Sequence, residues 1–197
     1  MSSLIMWRQR RGKTELSTLV DPTTMTGTEQ LYPLGYEITV PGTQGSRETL
    51  YATWKENTGI APATWVYVYA VNNCEANRAV GVFGIPWPGA PFSPRTANPM
   101  EVYSNAAFPW SQVVGVAQSE ILQGEFGFVL RKGIGKGLFV GGATSVSVQA
   151  PLQVAGAGGG LLDTPAATTA DGGFGYALEE LNDASNFLVD IYVNCIG

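Results

Sequence analysis

Hydrophobic and polar residues alternate most clearly near the end of the chain, in residues 186–194 (NFLVDIYVN). Successive side chains of a strand point to opposite sides, so an extended conformation gives this segment one apolar face and one mixed face. The apolar face holds Phe187, Val189, Ile191 and Val193, and the mixed face holds Leu188, Asp190, Tyr192 and Asn194. The pattern predicts a strand with one side on a hydrophobic core.

Short apolar segments of this kind recur along the second half of the chain, separated by glycine, aspartate or asparagine. They lie at 111–118, 124–133, 136–141, 144–154 and 173–180. Strand-like segments of the first half lie at 36–40, 49–54 and 64–71, and no long amphipathic helix is present. Short strands at such regular spacing are typical of sandwiches and barrels. We therefore predict an all-β fold, a small β-barrel or sandwich of short antiparallel strands.

Composition divides the chain into three parts. Residues 1–60 are rich in Thr, Pro and Gly and predict an extended, partly β N-terminal arm. Residues 61–110 predict a β segment with an ordered Pro- and aromatic-rich loop at 78–99 that packs on the core, because dense proline disfavours helix and central strand. Residues 111–197 predict the barrel or sandwich core. Within it, the Gly- and Ala-rich stretch 155–173 suits a loop, a linker or close backbone packing.

Three aromatic residues of the proline-rich loop, Phe83, Trp87 and Phe92, are expected to pack on a surface of this subunit or of another. The low charge content supports contacts between chains. Only 14% of the residues are charged although 45% are hydrophobic, and a surface so poor in charge is usually covered by other protein chains. The alternative is an uncharged surface of Thr, Ser, Asn and Gly.

The net charge of −5 argues against wrapping duplex nucleic acid, which requires clustered Lys and Arg.

The chain contains no histidine. This excludes the Ser-His-Asp and Cys-His nucleophile systems and the commonest metal ligand, so a conventional hydrolase is not expected. The two cysteines, Cys74 and Cys195, are too few for a zinc site of their own, and we predict two buried thiols, with a single disulfide as the alternative. We expect no cofactor and no metal.

The N-terminal segment, MSSLIMWRQRRGKTE, places its apolar residues before its positive ones, the reverse of a signal peptide. No apolar run approaches the roughly 18 residues that a membrane span requires. We therefore expect a protein made in the cytoplasm of the producing cell, with no membrane partner.

The stretch at 124–142, GEFGFVLRKGIGKGLFVGG, places seven glycines around Arg131, Lys132 and Lys136. A phosphate-binding P-loop needs a hydroxyl residue after its Gly-Lys pair, and neither frame of this stretch has one. The stretch predicts a β-hairpin with the turn GIGKG, which places the three basic residues at an exposed turn tip. They face either solvent or an acidic partner surface.

A second basic cluster lies at residues 7–13, where Trp7 accompanies Arg8, Arg10, Arg11 and Lys13. Such a segment binds nucleic acid by stacking and phosphate contact, or docks into an acidic groove of a partner protein. The acidic remainder of the chain favours the protein partner, and we expect no nucleic acid. The predicted partner-binding residues are therefore Trp7, Arg8, Arg10, Arg11, Lys13, Trp87, Arg131, Lys132 and Lys136.

Residues 111–197 resemble the decoration, or cement, proteins of tailed-bacteriophage capsids. The resemblance rests on the glycine-framed turn before a strand in 124–142 and on a late Gly-x-Ala-Leu-Glu strand, here Gly175 to Glu179, before a final hydrophobic strand. It implies a small β-barrel or sandwich that binds the outer capsid surface as a homotrimer and stabilises contacts between major capsid proteins. It also implies a virion structural protein that is not an enzyme.

Three other functions remain open from the sequence. One is another virion component, such as a head fibre base or a tail protein. Another is a carbohydrate-binding β-sandwich whose groove is lined by Trp54, Trp87 and Trp110. The last is an enzyme that uses carboxylates alone, which needs two facing Asp or Glu residues at a defined separation.

Overall fold

The chain folds into β-strands joined by turns and loops. The structure is a computed structural model, and it describes residues 6–10, 13–17, 22, 24–40, 63–82, 100–104, 110–140, 146–155, 160–164, 173–180 and 185–195. Within these ranges the strands are β1 (Met6–Arg10), β2 (Lys13–Ser17), β3 (Glu37–Val40), β4 (Ala63–Ala70), β5 (Ala79–Val82), β6 (Glu101–Tyr103), β7 (Val113–Ala117), β8 (Phe126–Phe139), β9 (Gln153–Val154), β10 (Leu162–Asp163), β11 (Gly175–Ala177) and β12 (Phe187–Asn194).

Five of these strands close into a small barrel. β8 pairs with β4 and β7, β7 pairs with β5, and β6 joins β5 to β4. All of these pairings are antiparallel except that of β4 with β6. The only helical turn in the described ranges is the three-residue 3₁₀ segment Trp110–Gln112, and none of the described helical structure is long and apolar enough to span a membrane. The prediction of an all-β barrel is confirmed.

Small and β-branched side chains from all five strands fill the barrel. The fully buried members of this cluster are Val66, Val68, Ala70, Cys74, Val80, Val102, Ala117, Ile121 and Val129. Valine suits this position because its branched side chain packs well on a pleated surface. Cys74 and Ile121, in the loops after β4 and β7, form a bridge through two backbone hydrogen bonds of 2.8 and 2.9 Å. Their side chains belong to the same cluster, so these two loops complete the packing of the barrel.

A larger hydrophobic cluster lies between the barrel wall and the strands that extend from it. β12 pairs with β8 over eight residues, and β11 pairs with β12. The alternation predicted for 186–194 is confirmed, because Phe187, Val189, Ile191 and Val193 are all buried in this second cluster. The strands predicted at 36–40, 64–71 and 111–118 are also present, as β3, β4 and β7.

The predicted hairpin at 124–142 is wrong, because Phe126–Phe139 is one continuous strand of 14 residues. One edge of β8 pairs first with β4 and then with β12, so both halves of the strand are held by partners that lie far away in the sequence. The glycines serve close packing here. Gly133, Gly135 and Gly137 stand opposite Val193, Ile191 and Val189, and a Cβ atom on Gly137 would collide with Leu162 and Ile191.

Other segments differ in detail from their predictions. Ala79–Val82 forms β5 within the barrel, so the loop predicted for 78–99 is wrong over these four residues; Phe83, Trp87 and Phe92 lie outside the described residues. Of the segment 144–154, the described residues 146–154 contain only the short β9, and 173–180 contains only β11. The segment 49–54 lies outside the described residues. The three-part division at residues 60 and 110 stays a prediction.

Both cysteines are free and buried, as predicted. Burial in apolar surroundings raises the pKa of the Cys74 thiol and that of the Cys195 thiol to about 12 each. Both side chains are therefore neutral at ordinary pH. They belong to the two different hydrophobic clusters and act as small apolar residues.

Candidate interaction surface

The outer side of the sheet formed by β8, β12 and β11 carries the exposed residues of this part of the molecule. Directly opposite residues of antiparallel strands point to the same side, so the register assigns Lys132, Ile134, Lys136 and Leu138 of β8 and Tyr176 of β11 to the side of Leu188, Asp190, Tyr192 and Asn194. We call these nine residues the outer sheet face; two of them, Ile134 and Asp190, are buried within it. The opposite side of the same strands packs on the hydrophobic core.

A row of polar contacts crosses the middle of the outer sheet face. Lys136 and Asp190 are register partners, and the lysine ammonium forms an ion pair with the Asp190 carboxylate. The Asp190 side chain is only 4% exposed, whereas that of Lys136 is 40% exposed. A buried carboxylate requires such a partner, because removing a charge from water is costly.

The side chains of Gln118 and Glu179, which lie outside the strands, continue this row of polar contacts beyond β8 and beyond β12. The Gln118 side-chain amide donates to the Lys136 carbonyl (3.0 Å) and accepts from the Lys136 N–H (2.8 Å). On the other side, the Asp190 N–H donates to the Glu179 carboxylate (3.2 Å). Each side chain takes the place of a neighbouring strand where β7 and β11 end. The backbone in the middle of the outer sheet face is thereby fixed from both edges.

Large apolar side chains lie exposed on either side of the polar row. Leu188 is 48% exposed and Tyr176 is 37% exposed. The rings of Tyr176 and Tyr192 stack with their centroids 5.0 Å apart, and Leu138 lies opposite Leu188. Exposed apolar groups that share one rigid face are typical of a protein-binding surface, whereas isolated ones are ordinary.

Charges of opposite sign lie at opposite corners of this face. Lys132, exposed at one end of the β8 segment, stands opposite Asn194 at the end of β12. Glu179 and Glu180 follow β11 on the far side of β12, and the Leu178 N–H donates to the Asp190 carbonyl there (2.8 Å). About 13 Å along the strands and two strand spacings of about 5 Å each separate Lys132 from Leu178, which the two glutamates follow in the chain.

A second partly exposed surface is aromatic and lies on the outside of the barrel. Tyr32 and Tyr36 stack with centroids 5.0 Å apart, and Tyr32 also contacts the rings of Tyr67 and Phe128. The Tyr67 hydroxyl accepts a hydrogen bond from the Leu31 N–H (3.1 Å). Burial raises the pKa of Tyr67. These contacts fasten residues 31–36 to the barrel, so most of this aromatic area serves folding.

The basic residues predicted at a turn tip lie along β8 instead, and their environments differ. The Arg131 guanidinium donates to the Glu37 carboxylate at 2.5 Å, which links β8 to the first residue of β3. Lys136 pairs with Asp190, and Lys132 is exposed at a corner of the outer sheet face. The structure therefore brings Lys132 and Lys136 onto one face but assigns Arg131 a different contact.

The described residues of the basic cluster at 7–13 lie in two paired strands. β1 and β2 pair antiparallel, with Trp7 opposite Leu16, Arg8 opposite Glu15 and Arg10 opposite Lys13. Arg11, Trp54 and Trp87 lie outside the described residues. The role of the cluster in partner binding and the sugar groove of Trp54, Trp87 and Trp110 stay predictions.

Several residues of the outer sheet face were not predicted as contact residues, namely Tyr176, Leu188, Tyr192 and the Lys136 partner Asp190. A signal was present in the sequence, because Leu188 and Tyr192 are large apolar residues on the mixed side of the alternating segment 186–194. An apolar residue on the polar side of a strand indicates either a second packing layer or a binding surface. Within the described ranges, no group of three or more Cys, Asp or Glu side chains is arranged to hold a metal ion.

Comparison with known proteins gives partial similarity in structure. No protein-family model and no curated protein matches the chain. Among solved structures, the N base of the head fibre protein gp8.5 of bacteriophage phi29 is similar over 66% of this chain and 92% of that chain, with 17% sequence identity and a TM-score of 0.43. A similarity at this level assigns no function.

Proposed function

We propose that this chain is a structural protein of a tailed-phage virion that binds the outer surface of the capsid as a homotrimer. In this role it stabilises contacts between major capsid proteins, its partners being the major capsid protein and further copies of itself. It acts as a binding protein and catalyses no reaction. The chain is made in the host cytoplasm and resides on the virion.

The observation that carries this proposal is the outer sheet face, with its exposed Leu188 and Tyr176 around a fixed polar row. Such a face is unfavourable to leave in water and favourable to cover with protein. The scarcity of charge in the whole chain points the same way, since only 14% of the residues carry one. The resemblance of residues 111–197 to capsid decoration proteins supports the major capsid protein as the partner.

Rigidity is the second property that suits a capsid-stabilising protein. The backbone of the outer sheet face is held on one side by Gln118 and on the other by Glu179. A surface already fixed in its bound conformation loses little conformational entropy on binding. More of the contact energy therefore remains to hold the assembled copies together.

Co-sedimentation with expanded heads that lack this protein tests the proposal. The full chain is expected to pellet with the heads at micromolar concentration and to remain in the supernatant without them. A chain lacking residues 1–17, which removes the hairpin β1–β2 as a unit, measures the contribution of the basic cluster. A full chain that stays in the supernatant in the presence of heads would contradict capsid binding.

A head fibre base is the second candidate within the same class. The hairpin β1–β2 forms a sheet of its own, separate in its pairing from the ten-stranded sheet, which suits a segment that attaches to something other than the barrel. Electron microscopy of virions labelled at this protein separates the two candidates. A decoration protein gives label over the whole head lattice, whereas a fibre base gives label only where fibres emerge.

A further inference from the structure

We propose that the outer sheet face is the contact between copies of this chain, and that its occupant is a neighbouring copy related by rotation. This inference rests on the proposed self-assembly and assigns a surface to it. Leu188, Tyr176 and Tyr192, on either side of the polar row, form the apolar part of the contact, and the charged corners set its direction.

The distribution of charge favours a second copy over other occupants. Lys132 lies at one corner of the face, and Glu179 and Glu180 lie beside the diagonally opposite one. A uniformly acidic or basic partner surface would be repelled by one of the two corners. A second copy brings both signs, so the basic corner of one chain meets the acidic corner of the next.

This arrangement also fits closed rotational symmetry. A ring of three subunits needs two different, complementary patches on each subunit, because each contact is head to tail. The basic corner at Lys132 and the acidic corner at Glu179 and Glu180 are two such complementary patches. The apolar side chains between the corners are brought together near the rotation axis, where they lose contact with water.

The polar row does not oppose this burial. The Asp190 carboxylate is already paired with Lys136 and nearly inaccessible, so covering the face exposes no new unpaired carboxylate to an apolar environment. Its backbone N–H is also satisfied by Glu179. Leu188 and the Tyr176–Tyr192 stack can be covered without leaving these polar groups without partners.

Charge reversal tests the proposed contact. Lys132→Glu and Glu180→Lys are each expected to raise the concentration for half-assembly at least about tenfold, because like charges then meet at each contact. The double variant K132E/E180K is expected to restore assembly, since it exchanges the two signs. Sedimentation equilibrium and native mass spectrometry of the full-length chain measure the oligomer, and circular dichroism checks that each variant is folded.

Matched controls lie on exposed positions outside this face. Glu120→Lys reverses an exposed carboxylate in the loop after β7, and it is expected to leave assembly unchanged. Leu188→Ser is expected to weaken assembly, whereas Leu122→Ser, which changes a leucine of nearly equal exposure at 47%, is expected to have no effect.

Three results would overturn the inference. The first is single reversals that assemble like the parent chain, and the second is a double variant that is not restored. The third is a set of variants that keep their oligomeric state but no longer sediment with heads, because the face then contacts the capsid. Co-sedimentation with heads is measured separately for the parent chain. If the parent chain fails to bind heads, that result contradicts the proposed function and is distinguishable from the three outcomes above.

Discussion

The side-chain amide of Gln118 and the backbone of Lys136 form a two-bond pair that replaces a missing strand. The amide accepts from the Lys136 N–H at 2.8 Å and donates to its carbonyl at 3.0 Å. β7 ends at Ala117, and without this pair the backbone of β8 at Lys136 would lack a partner on that edge. One glutamine thereby extends the ladder beyond the end of its own strand.

Replacing Gln118 should destabilise the fold through this backbone. Gln118→Leu removes both bonds and is expected to lower the free energy of unfolding by about 2 kcal/mol. Gln118→Glu keeps the acceptor but loses the donor, and should be intermediate. Urea unfolding at a fixed protein concentration measures the effect. The control Gln123→Leu, at an exposed position of the β7–β8 loop, should change stability by less than about 0.5 kcal/mol; equal losses for both leucine variants would contradict this role of Gln118.

The ion pair between Lys136 and Asp190 predicts a strongly non-additive pair of substitutions. Lys136→Met leaves the Asp190 carboxylate, which is 4% exposed, without this cation and should cost about 2 kcal/mol, less than for a fully buried pair because Lys136 is partly exposed. The double variant K136M/D190L removes both charges and should recover most of that loss. Chemical unfolding of the parent chain, the two single variants and the double variant gives the coupling free energy between the two residues. If the double variant loses as much stability as the two single variants together, the residues are not coupled and the prediction is wrong.

Gly160 and Gly124 provide a matched test of backbone crowding. Both have positive φ angles, of 70° and 85°, so alanine at either position costs about 1 to 2 kcal/mol for the left-handed conformation alone. A Cβ on Gly160 would also collide with the Ala79 carbonyl oxygen, whereas nothing lies within 4 Å of one on Gly124. Gly160→Ala should therefore be less stable than Gly124→Ala by about another 1 to 3 kcal/mol. Thermal unfolding measures the two variants. Equal decreases in Tm would show that the surroundings of Gly160 leave room for a Cβ atom.

Alkaline pH should destabilise the protein through its two thiols. Their pKa rises from 9.0 to about 12 on folding, so above pH 9 the unfolded chain releases protons that the folded chain retains. This contribution to stability is fully present below pH 9 and is lost as pH rises toward 12. The free energy of unfolding should fall with pH by up to about 1.4 kcal/mol per unit for each thiol.

Unfolding curves of the parent chain and of C74A/C195A between pH 8 and 10 test this effect. The variant loses packing and is less stable at every pH, so the slope against pH is the informative quantity, and it should be smaller in the variant. Tyr67 and Tyr103 also have raised pKa values, caused by burial, and their contribution remains in both chains. Identical slopes would show that the thiols do not titrate differently on unfolding.

Much of the strand content could be predicted from local pattern. The alternation in 186–194 predicted both the strand and its buried side, because a side chain in an extended segment faces one side or the other and apolar residues select the core. The run at 64–71 and the segment at 111–118 were found for the same reason. The short strands β9 and β10, of two residues each, have no periodicity to detect, since their pairing depends on the strands that flank them.

The outer sheet face could be predicted only in part. The mixed side of β12 is visible in the sequence, but its neighbours Lys132, Lys136 and Tyr176 join it only through the register of three strands. Register is set by pairing and packing over long sequence separations. The Gln118 and Glu179 contacts depend on where β7 and β11 end, and the sequence has no local signal for either end.

By itself, the sequence determined that this chain is all-β, that one side of its last strand is buried, and that 124–142 is no P-loop, because these properties depend on residue type and local spacing. Only the tertiary structure decided that the same glycines form one long strand instead of a hairpin. Glycine permits a tight turn and equally permits close approach of large side chains. Ile191 and Leu162, distant in sequence, pack against the position without a Cβ at Gly137 and thereby select the strand.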